Sequence, residues 1–193
     1  MTNPSSSNLN SLELTRCLNT SNPGKSKEFK CFFQAHGIQL KITTIDLPEI
    51  IADPLSVVVH KASIINNGQG DIIVEDTSLE IVGEKVGIHI KKMLSHLDQL
   101  VGKDAIWTVL LAFRHKDWVY VSKGEVKGKI VETRGISGFG FDPYFVPQGS
   151  NKTLAEEKSN KFSARALAVR ALVENNFIAI QPPIVDWKGE WQN

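Results

Sequence analysis

Hydrophobic positions change period several times along the chain. Leu12 to Asn19 alternates loosely, as a strand does, and the turn-forming cluster Thr20-Ser21-Asn22-Pro23-Gly24 follows it. Lys25 to His36 predicts a helix, with Phe29, Phe32, Phe33 and Ile38 near helical spacing. Leu40 to Leu47 alternates as a strand and stops at Pro48-Glu49. Asp53-Pro54 opens a second helix, an N-cap acid before proline, whose stripe is Leu55, Val58, Val59, Ala62 and Ile65. The loop Asn66 to Gly70 closes it, and Asp71 to Asp76 reads as a short buried strand ending in two acids. Ile90, Met93, Leu94 and Leu97 suggest a helix before Gly102. Three strands are predicted next, Ala105 to Phe113, Trp118 to Ser122 and Gly124 to Val131, the first two joined by a hairpin loop at Arg114 to Asp117. Gly135 to Gly149 is an ordered glycine-rich, aromatic loop. Thr153-Leu154-Ala155-Glu156 matches a capping box and predicts a helix to about Asn175, with Phe162, Ala166, Val169 and Val173 on one face. Early alternation of strands and helices, then clustered strands, predicts a mixed α/β sheet with helices on its faces.

Composition narrows the class. The chain has 193 residues, 41% hydrophobic and 22% charged, enough to bury a core without staples. Lys and Arg total 22 against 21 Asp and Glu, a formal charge of +1, which argues against coating a nucleic-acid polymer. The longest apolar stretch, Ala105 to Phe113, is too short to span a bilayer. Residues 1–11 read as a flexible polar tail and not as a secretory signal. Cys17 and Cys31 show neither metal spacing nor a disulfide framework, as in a reduced cytoplasmic protein. The five histidines form no zinc motif. Residues 12–180 read as one domain, and 181–193 as a C-terminal tail with Pro182-Pro183, Trp187, Trp191 and no periodicity.

Four strings carry candidate chemistry. Asn19 to Ser26 puts a turn between a strand and a helix, where backbone N–H groups converge on an anion. It mimics the end of a P-loop, but the first glycine of that pattern is Asn19 here. Glu75 and Asp76 end an apolar strand, and adjacent carboxylates are costly to bring together unless a cation holds them. Neighbouring strand residues face opposite ways, so one of the two acids faces the cleft if the strand persists. A hard Mg²⁺ suits one or two carboxylates plus substrate phosphates. Lys25, Lys61 and Lys91 sit at helical places that could aim at phosphate oxygens. The string Ser137-Gly138-Phe139-Gly140-Phe141-Asp142-Pro143 could present an aromatic face to a base, and equally could be a core-packed loop.

In order, Ser21-Asn22-Pro23-Gly24-Lys25, Ile45 to Glu49, Val74 to Thr77, Gly124 to Ile130, Gly138 to Pro143, Thr153 to Glu156 and Ser163-Ala164-Arg165 resemble the inosine triphosphate pyrophosphatase family. These are hydrolases of non-canonical purine nucleoside triphosphates, and the match runs from Leu12 to about Asn175. The resemblance implies an α/β fold with a long mixed sheet flanked by helices, and two lobes with a central cleft. It implies a cytoplasmic homodimer and Mg²⁺-dependent cleavage of ITP, dITP or XTP to monophosphate and pyrophosphate. Carried over by position, Thr20, Ser21, Asn22 and Lys25 would hold phosphates, with Lys61 and Lys91 on the triphosphate. Glu49 and Asp76 would bind metal and serve catalysis, Asp76 or a neighbouring carboxylate helping to activate water, with Thr77 beside them. Phe139, Gly140, Phe141, Asp142, Lys158, Ser163, Ala164 and Arg165 would form the base pocket.

The chain departs from the family pattern at five places. Ser78 follows Thr77 where the family usually has Gly, and Leu79 to Gly87 looks shorter than usual. Ala164 stands where the family has a histidine that contacts the purine. The closing lysine is displaced, to Lys158 or Lys161. Phe141 replaces the usual Trp or Tyr. A site that loses a donor forfeits discrimination, so weaker or altered base selectivity is expected. The alternative is a family member that binds nucleotides with lost turnover, and a weaker one is a pyrophosphatase for other modified nucleotides.

Overall fold

The computed structural model describes residues 17–65, 72–84 and 94–192. The elements are β1 (Cys17–Asn19), α1 (Pro23–Ala35), β2 (Lys41–Thr43), α2 (Pro54–Ile64), β3 (Ile73–Ile81), β4 (Asp104–His115), β5 (Trp118–Ile130), β6 (Phe145–Pro147), α3 (Ala164–Val173) and β7 (Ala179–Gln181). A seven-stranded sheet has the order β2-β1-β3-β4-β5-β6, with β7 also paired to β5. β1 is parallel to β2 and to β3, while β6 and β7 run antiparallel to β5. The sheet is therefore mixed, as the pattern predicts.

The parallel part follows from its connections, since parallel neighbours need a crossover and α1 and α2 supply two. β1–α1–β2 steps to one side of β1, and β2–α2–β3 returns to the other. Right-handed crossovers in opposite directions place the two helices on opposite faces. Side-chain packing agrees with this. Val58, Val59 and Ala62 of α2 cluster with Val74, Leu110, Ala112, Val119 and Val121. The alternate strand positions look the other way: Phe113 stacks on Tyr120 with centroids 5.2 Å apart, and Phe177 packs edge-on to both. α1 buries Phe29, Phe32 and Phe33.

Local signals fix the helix starts. Asn22 Oδ1 accepts from Lys25 N at 3.0 Å with Pro23 next, so α1 begins two residues before the expected Lys25. Asp53 Oδ1 accepts from Ser56 N at 3.0 Å and Oδ2 from Ser56 Oγ at 2.6 Å, the expected start of α2. The β4–β5 turn is tight, with Lys116 at φ 55° in the left-handed region.

Four expectations are corrected. The short strand expected to end at Asp76 runs on to Ile81, so Glu75 and Asp76 lie inside β3. The predicted strand Leu40 to Leu47 shrinks to Lys41–Thr43. The strands predicted on either side of Lys123 are one strand, because β5 finds a ladder at both ends: β7 along Val119–Val121 and β6 along Gly128–Ile130. The capping box at Thr153 forms, with Thr153 N donating to Glu156 Oε2 at 2.8 Å and Glu156 N to Thr153 Oγ1 at 3.2 Å, yet it caps only a turn. Leu154 N and Ala155 N donate instead to Phe145 O and Asp142 O, and the polar run Glu157 to Lys161 has no apolar stripe to propagate a helix. The helix starts only at Ala164, where Ser163 Oγ accepts from Ala166 N at 3.3 Å. The tail 1–11, the loop Asn66 to Gly70 and most of the stretch expected to be helical up to Leu97 lie outside the described residues, while Leu94–Leu100 forms a 3-10 turn.

The chain divides into two compact units. One comprises residues 1–76, 110–123 and 168–193, and the other 77–109 and 124–167. In the second unit Trp107 meets Phe141 edge-on at 5.6 Å and Phe145 at 6.5 Å. Leu79, Leu97, Ile130 and Leu154 are fully buried there.

Candidate active site

In the first unit the sheet changes winding direction between β1 and β3. In open α/β sheets ligands bind beyond the carboxyl ends of the strands at such a point. Asn19 is level with Val74 in the β1–β3 register, so Thr20 to Asn22 and Glu75-Asp76 continue past the same end. Asn19 itself, the residue that spoils the P-loop pattern, is structural. Its Oδ1 accepts from Ile45 N at 2.7 Å and Thr43 Oγ1 at 2.9 Å, and its Nδ2 donates to Ile45 O at 2.9 Å. Thr20 N donates to Thr43 O at 2.9 Å and its side chain is buried, whereas Ser21 and Asn22 are exposed.

The two adjacent acids meet different helices. Lys25 Nζ of α1 lies 2.6 Å from Glu75 Oε1, both side chains largely buried. Lys61 Nζ of α2 lies 3.1 Å from Asp76 Oδ1 and 2.7 Å from Glu49 Oε1. This is strand alternation made visible: successive residues point to opposite faces, and each face carries one helix with one lysine. Glu75, quoted in the motif but given no role of its own by sequence reasoning, is thus the partner of Lys25. The signal for it was the alternation itself.

Around Lys61 two carboxylates share one ammonium, so the cluster is short of positive charge. Burial raises the Asp76 carboxyl above the ordinary carboxylate range, against the pull of Lys61. Burial alone would lower the Lys61 ammonium, but Asp76 and then Glu49 outweigh it and hold it above the ordinary lysine range. Asp76 Oδ2 is buried and has no hydrogen-bond partner among the described residues. An orphaned carboxylate oxygen beside a surplus negative charge fits a divalent cation. No group of three or more His, Cys, Asp or Glu side chains gathers at metal-binding distance among the described residues. Such a site suits a cation that keeps several waters and shares substrate oxygens, and not an all-protein cage.

The second unit holds the aromatic string. Asp142 is buried, and its Oδ2 accepts from Phe139 N at 2.9 Å and Lys158 Nζ at 2.7 Å. Lys158 Nζ lies 4.9 Å from the Phe139 ring centroid and 5.6 Å from that of Trp107. The Arg165 guanidinium lies 4.9 Å and 5.2 Å from the same two rings. Gly138 permits this: at φ 80° it turns the loop so tightly that a Cβ would stand 2.3 Å from Asp142 Oδ2. Lys161 instead lies over its neighbour Phe162. Phe141 packs in the core, while Phe139 is only half-buried. Ser163 and Ala164 are fully buried at the start of α3, and Gly140 is exposed at φ 64°. Thr77 follows Asp76 on β3 as the first residue of this unit. Trp107, which no motif singled out, joins the two cations and Phe141. Lys91 lies outside the described residues.

Fold and side chains together define a mixed α/β protein with an acid–lysine cluster at the switch point of its parallel strands. The model of the Ham1 family matches residues 17–175, and the chain belongs to that family. A dITP/XTP pyrophosphatase of Hyperthermus butylicus is 34% identical over 170 residues, 79% of this chain and 90% of that protein. One of Thermococcus kodakarensis is 30% identical over 171 residues, 78% of this chain and 91% of its own. One of Aquifex aeolicus is 40% identical over 98 residues, a stretch spanning about half of each chain (49% and 48%). A crystal structure of a nucleoside-triphosphatase / dITP/XTP pyrophosphatase from Mycobacterium abscessus shares the fold, with a TM-score of 0.56 at 21% identity over 83% of this chain and 97% of that one. No helix among the described residues is long and apolar enough to cross a membrane.

Proposed function

We propose that the protein hydrolyses non-canonical purine nucleoside triphosphates, ITP, dITP and XTP, to the monophosphate and pyrophosphate, with Mg²⁺ as cofactor. The observation that carries this reading is Lys61 held between Glu49 and Asp76, with the buried Asp76 Oδ2 unpartnered. Relatives of nearly the same length named dITP/XTP pyrophosphatase support it.

In this mechanism Thr20 to Asn22 and the start of α1 receive phosphate oxygens on backbone N–H groups. Lys25 and Lys61 exchange part of their attraction to Glu75 and Asp76 for the triphosphate. Glu49 and Asp76 would hold Mg²⁺. When bound, the cation supplies charge neutralisation on the phosphates and eases deprotonation of water. Water attacks the α-phosphorus, the bond from that phosphorus to the oxygen bridging to the β-phosphate breaks, and pyrophosphate departs. Asp76 or a neighbouring carboxylate receives the proton from water. Phe139 stacks on the base, and Lys158 and Arg165 address its edge. Lys158, paired to Asp142, takes the closing-lysine role in preference to Lys161.

Ala164 offers no side-chain donor, so selectivity between purines is relaxed. A panel of ITP, XTP, dITP, ATP and GTP with purified protein and Mg²⁺ tests both points. Pyrophosphate release from ITP or XTP supports the reaction, and binding by calorimetry without release favours a nucleotide-binding protein instead. A sharp preference for ITP and XTP over ATP overturns relaxed selectivity. The protein is further proposed to be a cytoplasmic homodimer, in line with the free thiols of Cys17 and Cys31. Sedimentation measures the dimer directly.

A further inference from the structure

Glu49 is a weak point of the proposed site. It stands in a stretch without regular structure, and its side chain is 47% exposed. A carboxylate so placed loses side-chain and backbone freedom when it holds a ligand. Its backbone, however, is pinned by residues beyond the family match. Ile50 and Trp191 form an antiparallel bridge. Gln192 N donates to Glu49 O at 2.8 Å, Ile51 N to Glu190 O at 2.9 Å, and Gln192 Nε2 to Ile50 O at 3.1 Å. Trp187 Nε1 donates to Glu190 O at 3.0 Å, which folds this segment on itself.

The same segment grips α2. Ile184 N donates to Ser63 Oγ at 2.8 Å. His60 Nδ1 lies 2.8 Å from Ile184 O; a carbonyl only accepts, so that nitrogen carries the proton. The Trp191 ring meets the His60 ring edge-on at 5.5 Å. His60 is next to Lys61, the lysine that Glu49 reaches. Residues 184–192 therefore tie the stretch bearing Glu49 to the helix bearing Lys61.

We infer that residues 184–192 act as a strap that positions Glu49 against Lys61 and Asp76, with Trp191 and Gln192 as its positioning residues. The inference rests on the proposed role of Glu49 as a metal ligand. The strap touches no substrate; it lowers the entropy that Glu49 loses on binding a cation.

The test uses the full chain and Mn²⁺ as a spectroscopic probe, its binding followed by electron paramagnetic resonance. Gln192→Pro removes the N–H to Glu49 and the side-chain bond to Ile50, while Gln192→Ala removes only the latter. Trp191→Ala frees the His60 contact, and Trp191→Phe keeps a ring there. Gln192→Pro and Trp191→Ala are expected to weaken Mn²⁺ binding about three- to ten-fold, with Trp191→Phe and Gln192→Ala nearer to wild type. In pyrophosphate release the same two variants need correspondingly more Mg²⁺ for half-maximal rate and recover the wild-type kcat at saturation. A thermal melt within a few degrees of wild type separates positioning from unfolding. Unchanged Mn²⁺ affinity in both variants overturns the strap, and so does a kcat loss that excess metal does not restore. Glu49→Gln is the separate control: wild-type Mn²⁺ affinity there overturns the metal-ligand reading itself.

Discussion

The two units handle charge in opposite ways. In the first unit lysines face carboxylates and one acid oxygen is left without a partner. In the second the cations lie over ring faces, and the buried acid has its bonds filled. The first is built to exchange partners. The second holds its buried acid with both partners already in place. A buried acid oxygen without a partner costs stability, so Asp76 Oδ2 marks where a cation is meant to arrive, whereas Trp107 Nε1, also buried without a hydrogen-bond partner in the second unit, is an uncharged donor.

Asp76→Asn sharpens that contrast most. It keeps the shape, removes the proposed ligand and proton acceptor, and relieves a buried charge. Pyrophosphate release is expected to fall by about 10³-fold while Tm holds or rises, measured by phosphate-coupled assay and calorimetry. Asp142→Asn should do the reverse at first order: it breaks a buried pair with Lys158 and costs about 3 kcal/mol, a Tm drop on the order of 10 °C. If Asp76→Asn unfolds the protein and Asp142→Asn does not, the contrast is wrong. Gly138→Ala drives a methyl group into Asp142 and forces a strained φ, for about 2 kcal/mol by chemical denaturation. Phe139→Ala is expected to raise KM about ten-fold with kcat little changed, because base stacking contributes to binding before and during the reaction. Asn22→Ala has the smallest effect: loss of the α1 cap lowers stability by about 1 kcal/mol, seen as a shift of the denaturation midpoint.

Much of the first unit was readable in the chain. Asp53-Pro54 and Asn22-Pro23 are short-range signals that depend on neighbours within four residues, and the helices start there. The acid pair is marked by its cost, although β3 runs on through it to Ile81. That each acid has its own lysine was not foreseen, because which helix covers which face is set by the winding of β1, β2 and β3. The second unit was harder. The capping box at Thr153 is satisfied locally, yet the backbone beyond it bonds to Phe145 and Asp142 across the fold. Trp107 sits in an apolar strand with no motif around it, and only the approach of Lys158 and Arg165 gives it a place in the site.

The sequence by itself determined the α/β class, the caps, the acids, the glycine-aromatic string and the family, since each rests on residue type and near spacing. Tertiary structure alone decided that Glu49 and Asp76 share one lysine and that Lys158, not Lys161, reaches Asp142. It also decided that the aperiodic stretch after Gln181 returns to brace Glu49 and α2. Those contacts join residues far apart in the chain, and no local preference encodes which distant partner completes a charge or a hydrogen bond.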